Sequence, residues 1–138
     1  MGSEETKELD DRWFLGLRGS QVESVTVNEY NVVVTFSEGG ALSLEGRAEL
    51  AQVGQAGVSF NDEDIAATAE VLGSLPGSQV LSGVAFKSGA LRIVLDSGAK
   101  LRVPFAAHYE AWQLTGPSGR TWVSLPGGGL QTYPPEPT

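Results

Sequence analysis

The chain contains an internal repeat, because the segment 17–44 returns with related side chains as the segment 75–103. Both segments open with Gly-Ser-Gln-Val, once at Gly19 and once at Gly77. The two copies match first at an offset of 58 residues and then at 59, which places one extra residue near Gly83. Short alternating apolar runs separated by glycine-containing turns are typical of half-buried β-strands. The repeat therefore predicts two three-stranded β-meanders whose similar apolar faces can bury each other.

Two local features refine this prediction. The apolar positions change parity between Val22 and Val25, which indicates a β-bulge near Glu23 and Ser24. In the middle strands, Val34 of the first copy corresponds to an isoleucine, Ile93, of the second. We expect both of these side chains to be buried at equivalent places.

The segments outside the repeats complete one domain over residues 12–133. A helix is predicted over about 62–72, because Asn61 is placed to cap it. Residues 1–11 are expected to form a disordered acidic tail, and residues 134–138 a Pro-rich tail. The predicted fold class is therefore mostly β (α+β), with two three-stranded β-meander repeats, one bridging helix and a C-terminal β-hairpin unit. Sandwich and open barrel both satisfy this pattern.

Composition and charge restrict the classes of partner. The chain of 138 residues has a formal net charge of −8, and residues 1–11 carry half of it. A net negative chain without a Lys/Arg cluster in its sequence argues against nucleic acid or an anionic membrane as a partner. No apolar run approaches the ~20 residues of a membrane helix, and no apolar signal region is visible at the start, so a cytoplasmic protein is expected.

Groups that carry catalysis are scarce. The chain has no cysteine and one histidine, His108, which excludes thiolate chemistry and multi-histidine metal sites. No serine lies in a Gly-x-Ser-x-Gly elbow, and the triglycine 127–129 lacks the Lys-Ser/Thr of a phosphate-binding loop. We predict no catalytic residue, no metal, no cofactor and no enzymatic activity. The triglycine is expected to be a flexible hairpin tip.

Aromatic and acidic side chains are the remaining candidates for binding. Core packing is the default for the tryptophans, because such rings bury large areas. If the aromatic side chains are instead partly exposed, they form a recognition surface, since tryptophan and tyrosine dominate interface hot spots. The acidic candidates lie at turns of the first repeat. The tentative binding residues are Trp112, Trp122, Tyr109, Tyr133, Glu29 and Glu38.

The C-terminal stretch carries a resemblance. It contains Tyr109-Glu110-Ala111-Trp112, then Gly116-Pro117-Ser118-Gly119, then Pro126-Gly127-Gly128 and a final aromatic, Tyr133. This order resembles the ending of a family of small actinobacterial proteins of unknown function, and the resemblance covers about residues 12–133. The last aromatic is tyrosine here, where the family pattern has tryptophan. The resemblance implies two strand-rich halves and assigns no activity and no functional residues.

These observations lead us to expect a non-enzymatic module that binds another protein. A basic protein is one candidate partner. An immunity-type inhibitor of a basic toxin is one concrete version, consistent with the small size and the acidity. One alternative is a small-ligand-binding protein or hydrolase that uses the region from His108 to Trp112. A second alternative is a structural subunit of a homo-oligomer.

Overall fold

The computed structural model describes residues 6–29, 31–45, 48–51, 58–60, 70 and 72–135. These residues form thirteen β-strands in chain order. The strands are β1 (Lys7–Glu8), β2 (Arg12–Phe14), β3 (Val22–Val27), β4 (Val32–Phe36), β5 (Ala41–Leu44), β6 (Ala48–Ala51), β7 (Val58–Phe60), β8 (Val80–Phe86), β9 (Leu91–Leu95), β10 (Lys100–Val103), β11 (Trp112–Thr115), β12 (Thr121–Ser124) and β13 (Leu130–Tyr133).

The strands form two antiparallel sheets. One has seven strands in the order β1-β2-β8-β9-β10-β6-β7, and the other has six in the order β13-β12-β11-β5-β4-β3. Alternate residues of each central strand enter one core shared by the two sheets, because a strand presents successive side chains to opposite faces. In β4 and β9 the buried residues are Val32, Val34, Phe36, Leu91, Ile93 and Leu95. The mostly β prediction is confirmed, and the two separate sheets make the fold a sandwich rather than a barrel.

The two repeat segments have the same strand pairing. Each contains a meander, β3-β4-β5 in one and β8-β9-β10 in the other. The bulge expected near Glu23 and Ser24 is confirmed, since the β3-β4 register shifts between Val22 and Ser24, and β8-β9 shifts in the same way after Val80. The connection between paired strands spans 28–31 in the first segment and 86–90 in the second. The extra residue of the second copy therefore lies in this turn and not near Gly83.

The two Gly-Ser-Gln-Val segments hydrogen-bond to each other and so connect the two sheets where the first strand of each meander begins. Gln21 and Gln79 form an antiparallel bridge. The Val22 amide donates to the Ser78 carbonyl at 2.8 Å, and the Val80 amide donates to the Ser20 carbonyl at 2.7 Å. These reciprocal bonds use the backbone groups of both segments in the fold itself, so the segments are structural.

Each repeat is completed by strands from the other half of the chain. The β6-β7 hairpin follows the first meander in sequence but pairs with β10 of the second. The β11-β12-β13 unit follows the second meander but pairs with β5 of the first. Because neither half builds its own sheet, the described halves interlock as one unit.

The chain ends differ in part from the prediction. Of the expected disordered tail 1–11, the structure describes residues 6–11, where β1 pairs with β2 and the Lys87 ammonium lies 2.7 Å from the Glu8 carboxylate; residues 1–5 lie outside the described residues. The C-terminal β-hairpin unit, for which a third meander was the alternative, is a three-stranded meander. The expected helix over 62–72 lies outside the described residues except for residues 70 and 72, both in helical conformation. Within the described ranges, no helix has the length and apolar character needed to cross a membrane.

Candidate functional site

The predicted aromatic surface is divided by the fold, and its two tryptophans lie in the core. Trp112 is 1% exposed and Trp122 is 0% exposed. The β11-β12 register places Leu114 opposite Trp122, so Trp112 and Trp122 are diagonal neighbours on the inner face. Trp13 packs edge-on against Trp122, with ring centroids 5.9 Å apart. Both rings are buried, as the default of core packing has it, because the sandwich covers them; these two candidate binding residues are therefore not on an exposed aromatic surface.

The two buried indoles differ in hydrogen bonding. The Trp112 Nε1 group donates to the Gly89 carbonyl at 2.9 Å, and the Ser124 hydroxyl donates to the same oxygen at 2.8 Å. The Trp122 Nε1 group is buried and has no hydrogen-bond partner among the described residues. Trp112 therefore attaches the β8-β9 turn to the six-stranded sheet, whereas Trp122 only fills space.

The tyrosines remain at the surface. Tyr133 is 48% exposed and pairs with Thr121 on the outer face of the six-stranded sheet. Tyr109 is 39% exposed and lies in the connection from β10 to β11. Of the predicted aromatic residues, only these two can contact a partner.

The two predicted acidic residues are exposed but do not form one cluster. Glu29 lies before β4 and Glu38 lies after it. At about 3.3 Å per residue, a strand of this length separates them by roughly 20 Å. They therefore lie at opposite borders of the six-stranded sheet.

On the outer face of this sheet, the side chains in the regular strand pairing are uncharged, and we call this set the neutral face; the exposed Glu23 lies at its edge, at the bulge in β3. The neutral face consists of two cross-strand rows that the registers define across all six strands. One row is Ser24, Thr35, Ala41, Thr115, Thr121 and Tyr133; the other is Thr26, Val33, Ser43, Gln113, Val123 and Gln131. Neighbouring hydroxyls interact, as between Ser24 and Thr35 at 2.6 Å and between Thr115 and Thr121 at 3.1 Å.

A shallow groove of about 800 Å³ runs along one side of the neutral face. Its lining includes Gln113, Thr121 and Tyr133 from the strands, with Glu110 at its border. The proline segment 134–135, expected to be frayed, lines the groove as well. The groove therefore extends the neutral face to the C-terminal end of the described chain.

The other outer face contains a feature that the sequence analysis missed. Arg92 of β9 lies directly opposite Arg102 of β10, and Lys100 lies on the same face two residues away. Arg12 of β2 stacks on Phe86 of β8 at 5.0 Å from the ring centroid. These cations are scattered in sequence, so only the hairpin register could have indicated that they cluster.

The groups considered for catalysis are not assembled in a site. His108 is exposed in the connection from β10 to β11. Ser20 and Ser124 are both 0% exposed, and the Ser124 hydroxyl is engaged with Gly89. Among the residues that the structure describes, no group of three His, Asp or Glu side chains could hold a metal ion.

The triglycine 127–129 is attached to the body rather than forming a free tip. The Gly127 amide donates to the Ala106 carbonyl, and the Gly129 amide donates to the Ser88 carbonyl, each at 2.8 Å. All three glycines have positive φ angles, which side chains rarely adopt. This turn therefore packs against the β8-β9 turn.

The fold and its surfaces define an antiparallel β-sandwich with an uncharged face on one sheet and a basic cluster on the other. The model of the family of unknown function DUF6188 matches residues 13–134, and the chain belongs to this family. The resemblance to an uncharacterised family is thereby confirmed. Comparison with curated proteins found no match, and comparison with solved structures found none either.

Proposed function

We propose that this protein is a non-enzymatic binding module that recognises another protein through the neutral face. The observation that carries the proposal is the lack of charge over two six-residue rows in a chain of net charge −8. Protein interfaces are depleted of charge at their centre and enriched in tyrosine. The neutral face shares the lack of charge, and Tyr133, at one end of it, is the one aromatic residue in its two rows.

The acidic side chains fit the border of such an interface. Glu29, Glu38 and Glu110 are exposed at the turns and the groove that surround the neutral face. Charges at an interface rim raise the association rate with a partner of opposite sign more than they raise affinity. A basic protein is therefore the proposed partner, and an immunity-type inhibitor of a basic toxin is one version of the proposal. We place this function in the cytoplasm, a reducing compartment that suits a chain without cysteine.

Site-specific photo-crosslinking in cells tests the surface. A photoreactive amino acid replaces Gln113 at the centre of the neutral face, and the matched control replaces Lys100, an exposed strand residue on the opposite outer face. We expect one discrete adduct with a basic protein from position 113 and none from position 100. Equal adducts from both positions, or none from position 113, contradict the proposal. An adduct containing two copies of this chain identifies a homo-oligomer instead.

Association kinetics with the purified partner test the role of charge. Glu29→Lys and Glu38→Lys should slow association and reduce its dependence on ionic strength. Removal of residues 1–11, which also removes β1 from the edge of the seven-stranded sheet, should have a smaller effect on association, because the neutral face belongs to the other sheet. If the truncation abolishes binding while the reversals change nothing, an acidic arm and not the sheet holds the partner.

A further inference from the structure

The outer face of the seven-stranded sheet concentrates positive charge in an acidic protein. Arg12, Arg92, Lys100 and Arg102 lie on this face, out of nine lysines and arginines in the chain. The Arg12 guanidinium forms two hydrogen bonds of 2.9 Å with the Asp11 carboxylate, so its charge is compensated. Arg92, Lys100 and Arg102 form no ion pair with a carboxylate in the described part of the chain. We call the Arg92 and Arg102 pair, with Phe86 beside it, the arginine cleft.

The arginine cleft places two like charges opposite each other, and Glu49, opposite Arg102 on β6, offsets part of that repulsion. Like charges directly opposite on neighbouring strands destabilise a sheet. Arg92 is held over the Phe86 ring, 5.5 Å from its centroid, and its Nε atom is buried without a hydrogen-bond partner among the described residues. One oxyanion can accept paired hydrogen bonds from two guanidinium groups, which here requires the Arg92 side chain to turn from Phe86 towards Arg102.

A cavity adjoins Arg102 and Phe86; Arg92, held over the Phe86 ring, does not itself line it. The cavity has a volume of about 380 Å³ and is lined by Phe86, Ser88, Ala90, Pro104, Arg102 and Glu49, among others. Pockets of this size accommodate small organic ligands. Phe86 and Pro104 provide an apolar wall, and Glu49, opposite Arg102 on β6, also lines the cavity. The cleft therefore fits a ligand with one anionic group and an apolar part.

We propose that the arginine cleft binds a small organic anion whose phosphate or carboxylate group lies between Arg92 and Arg102 and whose apolar part packs against Phe86. Oxyanion binding removes the repulsion between the two guanidinium groups. A nucleic acid is not the expected ligand, because DNA-binding proteins contact several phosphates through lysine and arginine. This face has few uncompensated cations, and the chain has a net charge of −8. The site lies on the opposite outer face from the neutral face, so it is independent of the proposed protein partner.

Titration of the full chain with defined probes tests the proposal. The probes are phenyl phosphate, benzoate, inorganic phosphate and, as the uncharged control, benzyl alcohol; backbone amide NMR shifts at Phe86, Ser88 and Arg102 report binding. We expect saturable shifts with phenyl phosphate and benzoate, weaker ones with inorganic phosphate, and none with benzyl alcohol. Arg92→Gln and Arg102→Gln should each weaken phenyl phosphate binding at least tenfold. The matched control Arg18→Gln, which removes an exposed arginine elsewhere, should change it less than twofold.

Stability separates a binding role from a structural one. Phenyl phosphate should raise the unfolding temperature of the unmodified chain and leave that of Arg102→Gln unchanged, because a ligand stabilises only the folded state that binds it. An equal rise in both proteins shows that Arg102 does not hold the ligand and overturns the proposal. Equal binding by all variants, or no saturable binding of phenyl phosphate, overturns it as well. Binding of a hexaglutamate peptide without binding of phenyl phosphate overturns the small-ligand assignment. Crosslinking from Gln113 should be unchanged in Arg102→Gln, so failure here leaves the neutral-face proposal unaffected.

Discussion

Replacing each buried tryptophan by phenylalanine should have unequal effects on stability. Trp112→Phe and Trp122→Phe remove the same atoms from positions that are 1% and 0% exposed. The losses of transfer free energy and the cavity terms are therefore similar and largely cancel in the comparison. What differs is the indole N–H group, which has a partner in Trp112 and none in Trp122 among the described residues.

The size of the difference follows from the hydrogen bonds. Trp112→Phe loses the 2.9 Å bond to Gly89, a net loss of about 1 kcal/mol, while the Ser124 hydroxyl still donates to the same carbonyl. Trp122→Phe removes a buried unpaired donor, whose desolvation costs about 1–3 kcal/mol in the parent chain. The edge contact with Trp13 contributes about 0.5–1.5 kcal/mol, and phenylalanine keeps part of it. Trp112→Phe should therefore be less stable than Trp122→Phe by about 2 kcal/mol.

Urea unfolding at 25 °C, followed by far-ultraviolet circular dichroism, measures this difference. In thermal unfolding it corresponds to roughly 8 °C for a domain of this size. Trp13→Phe, measured in parallel, gives the contribution of the aromatic contact alone. If Trp122→Phe is as destabilised as Trp112→Phe, or more so, the Trp122 N–H has a partner in solution and the reasoning is refuted.

Further outcomes are expected in the core, at two turns and at the histidine. In urea unfolding, Ile93→Ala should lower the free energy of unfolding by about 2–5 kcal/mol and Val34→Ala by less, because both side chains are buried and valine loses less volume. Unchanged stability in either variant would contradict the central place of these residues in the two meanders. Gly89→Ala should lower the free energy of unfolding by about 3 kcal/mol or more, because φ is +106° and the new Cβ would lie 2.9 Å from the Gly129 carbonyl oxygen. Gly77→Ala should lower it by only about 1–2 kcal/mol, because φ is +92° but nothing lies within 4 Å of the new Cβ. Thermal unfolding of the two variants should show this order. His108→Ala should leave the unfolding free energy within about 0.5 kcal/mol, and loss of a measurable activity with stability retained would contradict the non-enzymatic proposal.

The strand segments could be predicted because their signal is local. Val32, Val34 and Phe36 alternate with polar or outward residues, and this period of two identifies a half-buried strand without knowledge of its neighbours. The parity change after Val22 likewise indicated the bulge. The extra residue was placed near Gly83 rather than in the turn, because side-chain similarity cannot distinguish a shifted strand from a longer turn.

The candidate sites could not be predicted in the same way. The tryptophans at 112 and 122 were assigned to either core or surface, because an aromatic ring satisfies both environments until the opposing sheet is known. The neutral face depends on the pairing of β5 with β11, which joins residues about 70 positions apart. The arginine cleft depends on the register between β9 and β10, which sets Arg92 against Arg102.

The sequence by itself determined that the chain forms short strands in two related sets, that glycine turns separate them, and that thiol and multi-histidine chemistry are absent. Only the tertiary structure decided that each set is completed by strands from the other half, that the tryptophans are buried, and that one outer face is neutral while the other is basic. The physical reason is the range of the interactions. Alternation and turn conformation depend on neighbouring residues, whereas sheet order and the composition of a face depend on hydrogen bonds between residues far apart in sequence.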